Sequence, residues 1–397
     1  MAQDFTVDRD STKRVLGKNG VLVSYGTDEP AFEFNADGSY KGLLVEPAAT
    51  NLCLQSEDIN TTWSKSLTTP TQSTEETPDG DTTNKYIKLV DDGSTGTGGV
   101  IVYQTITVAA NTKYTASVFL KADQLSFARL RAQDYDGSTD GDQYFGLSGA
   151  GSLGTASNLD DSKIEAYPNG WYRCSITWTQ GAADTSFLFI IWVADSITNS
   201  IVDLDGTSSI FVWGAQVEAG PIATSYIPTT DEVGGVTRTK DDISLTSASS
   251  LIGQKDTGGT LYVEVDWRLT TGQFQRLLTI SDGSGTNEIF IYSTQQSDLK
   301  MGAVANSVVA TLQGESGTGY SSIQKFAFAY KTDDFELYRN GSSISSDTSG
   351  SLAALATLTD IDLGQAYNGT VQANMWIRAV ALFDTRLSDA ECIALTT

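Results

Sequence analysis

The chain has 397 residues, enough for two or three domains with separate cores. Its 25 lysines and arginines against 49 aspartates and glutamates give a net charge of −24, which repels nucleic acid and anionic membrane surfaces. Histidine is absent and the three cysteines (Cys53, Cys174 and Cys392) are isolated, which argues against zinc and against a disulfide framework. The sequence also lacks a signal-peptide core and a membrane-spanning apolar run. We therefore expect a cytoplasmically folded protein that binds no nucleic acid and does not insert into membranes.

Short apolar runs separated by glycine, serine and threonine indicate β structure from the first residues onward. Residues 1–48 contain the strand-like runs "GVLVSY", "AFEFN" and "GLLVE", which are too few for a core of their own. Residues 49–230 contain about nine such runs, the polar residues 231–242 are typical of a linker, and residues 243–397 form a second strand-rich block. The predicted fold class is all-β, with two antiparallel β-sandwiches in tandem after a short N-terminal β segment.

The strongest strand signals in the first block alternate between apolar and polar residues. "KYTASVFLKA" (113–122), "FARLRAQDY" (127–135) and "WYRCSITWT" (171–179) each predict a strand with one core face and one solvated face. "FLFIIWV" (187–193) is apolar on both faces, which predicts a central or covered strand.

The last block adds three local signals. "TLYVEVDWR" (260–268) alternates like a half-buried strand. Asn340-Gly341 predicts a two-residue type I′ hairpin, because both central residues of that turn need positive φ. Ser388 and Glu391 are spaced as a capping box, which predicts one short helix at the end.

Several phrases resemble known families. "GLLVEPAATNLCLQSEDINTTW", "TPDGDTTNKYIKLV", "YPNGWYRCSITWT" and "VWGAQVEAGPIATSYIPTT", all within residues 42–230, resemble a module of bacteriophage head-spike, head-fibre and tail-fibre proteins. That module is a jelly roll similar to carbohydrate-binding modules. "TLYVEVDWR", "FELYRNGSSI" and "MWIRAVALFDTRLSDAECIALTT" resemble the concanavalin A-like, laminin-G-like jelly roll.

The first resemblance implies a structural virion protein that is assembled in the host cytoplasm and displays glycan-binding domains for attachment to host surface polysaccharide. It also implies that residues 1–48 anchor the chain to capsid, portal or tail proteins. A homotrimer is expected by analogy with phage fibres and spikes, and because the apolar strand 187–193 and the coreless N-terminal segment both need cover.

The polar face of the first block is the candidate glycan site. Aromatic rings offer sugars flat apolar surfaces, while arginine and glutamine donate hydrogen bonds to hydroxyls or carboxylates. If strands 113–121, 127–135 and 171–179 share a sheet, these side chains meet on one surface that suits an anionic glycan. The candidate residues are Arg129, Arg131, Gln133, Tyr135, Trp171 and Arg173. The alternative is that a neighbouring subunit covers this face.

An aspartate-rich stretch, "DYDGSTDGD" (134–142), is the candidate metal site. Clustered carboxylates on a glycine-rich backbone suit calcium, although the spacing is not that of an EF-hand. The candidate ligands are Asp134, Asp136, Asp140 and Asp142. The alternative is a solvated turn without metal, and no other cofactor is expected.

Two alternative functions remain open. Glu264 and Asp266 echo the E-x-D-x-x-E strand of some concanavalin A-like glycosidases, but Leu269 stands where the third carboxylate belongs. We therefore expect no enzyme activity, with a polysaccharide-degrading enzyme as the first alternative. The second alternative is a capsid-decorating protein without a ligand.

Overall fold

The protein is almost entirely β, as the sequence predicts. The computed structural model describes residues 5–267, 274–295, 298–315 and 323–397. In these ranges the only α-helix is α1 (Asp389–Thr396), and no helix is long and apolar enough to cross a membrane. The predicted fold class, antiparallel β-sandwiches, is confirmed.

The described residues up to 219 form twenty strands. They are β1 (Thr6–Asp8), β2 (Lys13–Leu16), β3 (Leu22–Tyr25), β4 (Phe32–Phe34), β5 (Tyr40–Val45), β6 (Ala49–Asn51), β7 (Ser64–Ser66), β8 (Thr71–Ser73), β9 (Lys85–Val90), β10 (Thr97–Gly98), β11 (Ile101–Thr107), β12 (Lys113–Ala122), β13 (Phe127–Asp136), β14 (Thr139–Gly146), β15 (Ser152–Ser157), β16 (Asp161–Ala166), β17 (Trp171–Thr179), β18 (Ser186–Ala194), β19 (Val202–Asp203) and β20 (Ser209–Ala219).

The remaining strands follow. They are β21 (Val236–Arg238), β22 (Asp242–Leu245), β23 (Gly259–Trp267), β24 (Gln275–Ser281), β25 (Glu288–Gln295), β26 (Asp298–Ala305), β27 (Val308–Glu315), β28 (Gln324–Lys331), β29 (Asp334–Arg339), β30 (Ser342–Asp347), β31 (Asp360–Leu363) and β32 (Met375–Phe383).

The first sandwich consists of two six-stranded antiparallel sheets. One has the strand order β15-β14-β13-β18-β11-β7 and the other β16-β17-β12-β20-β9-β8. The even-numbered side chains of β12 and β13 pack between the sheets with the odd-numbered ones of β18. Trp63 and Cys53 belong to the same core, which closes it at the end where the chain enters the sandwich.

The second sandwich consists of two seven-stranded sheets. Their orders are β1-β22-β31-β24-β25-β26-β27 and β30-β29-β28-β23-β32-β5-β4. The predicted alternation of β23 holds, since Leu261, Val263, Val265 and Trp267 lie in the core between the sheets.

The N-terminal segment, for which the sequence predicts no core of its own, packs on both sandwiches. Its strands β1, β4 and β5 are strands of the second sandwich, where β1 pairs with β22 and β5 with β32. The hairpin β2–β3 instead packs on the first sandwich, with Leu16 and Leu22 in a cluster around Trp213. Strands this short cannot form a core alone, so they complete the two larger ones.

The predicted linker is paired with other segments of the chain. Strand β21 pairs with β6, and its last residue, Arg238, is 1% exposed, as is Asp241 three residues further on. Asp241 accepts hydrogen bonds from Arg9 (2.8 Å) and Lys13 (2.6 Å), and Lys13 lies 3.1 Å from Glu46. This joint cluster (Arg9, Lys13, Glu46, Arg238 and Asp241) therefore connects the N-terminal segment to the strands on both sides of Pro47.

Candidate functional site

The predicted glycan residues lie on two different sheets. Strand β13 carries Arg129 and Arg131 in one sheet of the first sandwich, whereas β12 and β17 belong to the opposite sheet. The prediction that the six residues share one surface required β12, β13 and β17 to be in one sheet, and it is therefore wrong. Alternation along a strand defines its two faces, but it does not say which strand lies beside it.

Trp171 and Arg173 are buried at 1% and 5% exposure. The Trp171 indole N–H donates to the carbonyl of Glu76 at 2.8 Å, and the Arg173 guanidinium donates to the Ser117 hydroxyl at 3.0 Å. The cover comes from the chain itself, because Leu16 and Leu22 of the N-terminal hairpin pack in the same cluster as Trp171. These two residues are therefore structural and cannot reach a glycan without unfolding this cover.

Arg129 and Arg131 are instead part of a cluster on the outer face of the other sheet, where 12% and 20% of their side chains are exposed. Register places Arg129 between Tyr144 on β14 and Trp192 on β18. Its guanidinium carbon lies 5.2 Å from the Tyr144 ring centre and 4.6 Å from the Trp192 ring centre, within cation–π range. Arg131 lies 5.2 Å from the same Trp192 ring. We call Arg129, Arg131, Asp142, Tyr144 and Trp192 the arginine face.

The positive charge of the arginine face is balanced by carboxylates. Asp142 accepts from Arg129 Nε and Arg131 Nε, both at 2.7 Å, and Asp140 lies 2.8 Å from Arg131. Burial disfavours the charged form of Arg131, but the hydrogen bond and charge of Asp142 outweigh this effect and raise its pKa. Two cations and two anions leave the face polar, ordered and close to neutral.

Gln133 and Tyr135 lie further along β13 and outside this cluster. Gln133 donates to Asp134 at 3.2 Å, and the Tyr135 hydroxyl donates to the carbonyl of Asn158 at 2.7 Å. The Tyr135 ring packs 6.4 Å from Trp178, a core residue. Both side chains are half-buried at the end of the sheet.

Trp192 is the residue that sequence reasoning missed. Because Phe187, Phe189, Ile191 and Val193 fill the core, the even positions of β18 must face outward, and Trp192 is the aromatic one among them. The apolar appearance of both faces hid this signal. Tyr144 lies two residues after Asp142 in the sequence, and its neighbour Phe145 is fully buried.

The four candidate calcium ligands do not converge. Asp140 and Asp142 face Arg131, and the Asp140 side chain also accepts from the backbone N–H of Asp134 at 3.1 Å. Asp136 is exposed at the hairpin end. Within the described ranges no group of three or more His, Cys, Asp or Glu residues is placed to hold a metal ion. Calcium binding here would require the arginine pairs to break.

Glu264, one of the two carboxylates of β23, is likewise engaged. Glu264 accepts from Arg378 Nε at 2.8 Å and from the Tyr262 hydroxyl at 3.3 Å. Burial, together with the charge of Glu264, raises the pKa of Tyr262 to about 12, so its hydroxyl stays a donor. Leu269, the third position of the glycosidase-like motif, lies outside the described residues.

A concavity lies at the edge of the first sandwich formed by β8 and β9. It is an open groove of about 640 Å³, bordered by β8, β9 and the chain segments 55–58 and 228–232. The groove shares no residue with the arginine face, and nothing in the sequence pattern predicted it.

No family model matches the chain, and no curated protein does. Among solved structures, Ruminococcus gnavus IT-sialidase CBM40 is 18% identical with a TM-score of 0.31, covering 36% of this chain and 84% of that one. The NanB sialidase from Streptococcus pneumoniae is 16% identical with a TM-score of 0.32, covering 39% of this chain and 26% of that one.

The binding domain of botulinum neurotoxin DC in complex with SialylT is 14% identical with a TM-score of 0.31, covering 40% of this chain and 39% of that one. At such identities the likeness concerns the β-sandwich fold alone.

Proposed function

We propose that this chain is a structural protein of a bacteriophage virion, a head spike or fibre or a tail fibre, that attaches the particle to host glycans through the arginine face. The phage assignment rests on the phrases within residues 42–230. The glycan-binding assignment rests on one observation: the Arg129 guanidinium is held between the partly exposed rings of Tyr144 and Trp192 on the outer face of the sheet.

This arrangement suits a sugar for physical reasons. A sugar ring has apolar C–H faces and a rim of hydroxyls, so it needs aromatic surface beside directed polar groups. Because Arg129 is already fixed by Asp142 at 2.7 Å, little side-chain entropy is lost when its remaining N–H groups bind a hydroxyl. The buried Ser200 hydroxyl accepts from Arg129 Nη1 at 3.2 Å and fixes the guanidinium further.

The balanced charge selects the kind of glycan. Asp140 and Asp142 neutralise the two arginines, so the face has no excess positive charge to attract an anionic polymer to a chain of charge −24. We therefore propose recognition through hydroxyls, with weak salt dependence, in place of the anionic glycan that the sequence suggested.

The test is binding to printed bacterial polysaccharides and adsorption to host cells. Tyr144→Ala and Trp192→Ala should each weaken binding at least tenfold, because each removes one wall of the Arg129 site. Tyr367→Ala on the second sandwich, where Tyr367 is 38% exposed, is the matched aromatic control and should bind like the wild type. Binding that survives both face variants would refute the site.

The same variants separate the alternative roles. If Tyr144→Ala instead dissociates an oligomer in analytical ultracentrifugation, the arginine face is a subunit interface of the proposed homotrimer. We also propose that binding proceeds without hydrolysis, since Glu264 is paired with Arg378. Release of reducing sugar from a bound polysaccharide would favour the enzyme alternative.

A further inference from the structure

The groove at the edge of the first sandwich has the contents of a binding site. Its volume of about 640 Å³ is within the range of roughly 300–1,000 Å³ that is usual for small-molecule sites. We call it the amide groove. Its lining residues are Arg14, Gln55, Glu57, Asp58, Gln72, Asn84, Lys85, Tyr86, Pro228, Thr229, Thr230 and Glu232.

The charged residues of the amide groove are tied to one another. Glu57 lies 3.0 Å from Arg14 and 3.5 Å from Lys85, and Lys85 also lies 2.8 Å from Asp81. Both cations of the lining are therefore already paired, and the lining carries three carboxylates, of Glu57, Asp58 and Glu232. An anionic ligand would meet no unpaired cation there and would be repelled.

The amides, in contrast, are oriented with groups to spare. Asn84 Nδ2 donates to Gln72 Oε1 at 3.0 Å, and Gln55 Nε2 donates to Asp231 at 2.8 Å. These bonds fix the side chains, while Asn84 Oδ1, Gln72 Nε2 and Gln55 Oε1 have no partner within the described part of the chain. Gln72 Nε2 is therefore a fixed donor, and Asn84 Oδ1 and Gln55 Oε1 are fixed acceptors. This set matches neighbouring sugar hydroxyls, because each hydroxyl can both donate and accept.

Tyr86 supplies an apolar surface beside these amides. Register pairs Tyr86 on β9 directly with Gln72 on β8, so both side chains leave the sheet on the same side. Pro228 also lines the groove. A ring face next to oriented amides is the combination that a sugar ring needs.

We propose that the amide groove is a second carbohydrate site of the first sandwich, for a short neutral oligosaccharide. This inference takes its ligand class from the proposed glycan attachment, but it shares no residue with the arginine face. The groove and the face lie on opposite sheets, so each chain would carry two independent sites.

The experiment titrates the whole chain with maltotriose, cellotriose, mannotriose and N,N′,N″-triacetylchitotriose by calorimetry and saturation-transfer NMR, with 3′-sialyllactose as the anionic comparison. Gln72→Ala combined with Asn84→Ala should weaken binding of a neutral probe about tenfold, because two directed hydrogen bonds are lost. Gln72 and Asn84 are exposed, so the melting temperature should not change. Gln124→Ala, at an exposed glutamine that does not line the groove, is the control and should bind normally.

Trp192→Ala distinguishes this inference from the proposed function. If the groove variant loses the neutral probe and Trp192→Ala keeps it, the groove is supported independently of the arginine face. If Trp192→Ala loses the probe and the groove variant keeps it, the groove proposal is overturned and the face stands. A wild type that binds none of these neutral probes, or binds only 3′-sialyllactose, overturns the groove proposal.

Discussion

Replacing Asp241 by asparagine should destabilise the protein strongly. Asp241 is 1% exposed, and its carboxylate accepts from Arg9 at 2.8 Å, from Lys13 at 2.6 Å and from the backbone N–H of Glu46 at 2.8 Å. Asparagine keeps the size but replaces one acceptor oxygen by a donor NH₂ that faces a cation. It also leaves two buried positive charges without their shared anion.

The expected loss is about 3–5 kcal/mol in the free energy of unfolding, as is usual when one partner of a buried ion pair is removed. For a sandwich of this size, that loss corresponds to roughly 6–20 °C in melting temperature. The effect is large because the Arg9 and Lys13 side chains are fully buried and cannot turn to solvent.

Urea unfolding followed by circular dichroism, supported by calorimetry, measures the change. Asp256→Asn, at an exposed position, is the matched control and should stay within about 0.5 kcal/mol of the wild type. An Asp241→Asn protein as stable as that control would refute the view that the joint cluster holds the N-terminal segment in place.

Further expectations concern a buried carboxyl, calcium binding, the exposed part of the linker and the cap of α1. Burial raises the pKa of Asp362 to about 7, so this carboxyl keeps its proton in the folded state between about pH 4 and 7. As the pH rises across that range, the free energy of unfolding should fall by at most about 4 kcal/mol. In urea unfolding at pH 5 and pH 8, the free energy of unfolding of Asp362→Asn should differ less between the two pH values than that of the wild type. An equal difference in both proteins would assign the pH dependence to another group. Calcium at millimolar concentration should not raise the melting temperature, because two of the four candidate ligands, Asp140 and Asp142, are paired with Arg131; a rise that EDTA reverses would contradict this. Limited proteolysis should cut first at the exposed residues 231–234, with Val233 95% exposed, and mass spectrometry finding early cuts at 238–241 would contradict the burial there. Ser388→Ala should cost about 0.5–2 kcal/mol in thermal unfolding, because it removes the cap of α1, and no loss would mean that the cap is not formed in solution.

Local signals in the sequence predicted local structure well. Lys113–Ala122 forms one strand over the predicted residues, and Trp171–Thr179 does the same. Asn340 and Gly341 have φ values of 45° and 80°, as the predicted type I′ hairpin requires. Ser388 and Glu391 form both bonds of the capping box. Each of these features depends on residues close together in the chain, so the sequence pattern contains the needed information.

Long-range pairing was the part that the pattern could not contain. Thr115, Ser117 and Phe119 read as the solvated face of β12, yet each is at most 1% exposed because other segments of the chain cover that face. Whether a polar or mixed face meets water or another segment depends on where distant strands settle. The candidate site was predicted wrongly for the same reason, because the strands beside Arg129 are β14 and β18 and not β17.

The position of the N-terminal segment bears on the proposed virion role. Strands β1, β4 and β5 complete the second sandwich, and the hairpin β2–β3 covers the first, so residues 5–45 belong to both cores. Residues already paired in this way cannot also be threaded into a capsid or tail protein without opening a sheet. Attachment to a particle would therefore have to use the outer surface of the folded chain. The arginine face and the amide groove lie on opposite sheets of the first sandwich. Two sites on opposite sheets would engage separate glycan strands, and weak binding at each would then be strengthened by the number of chains on one particle.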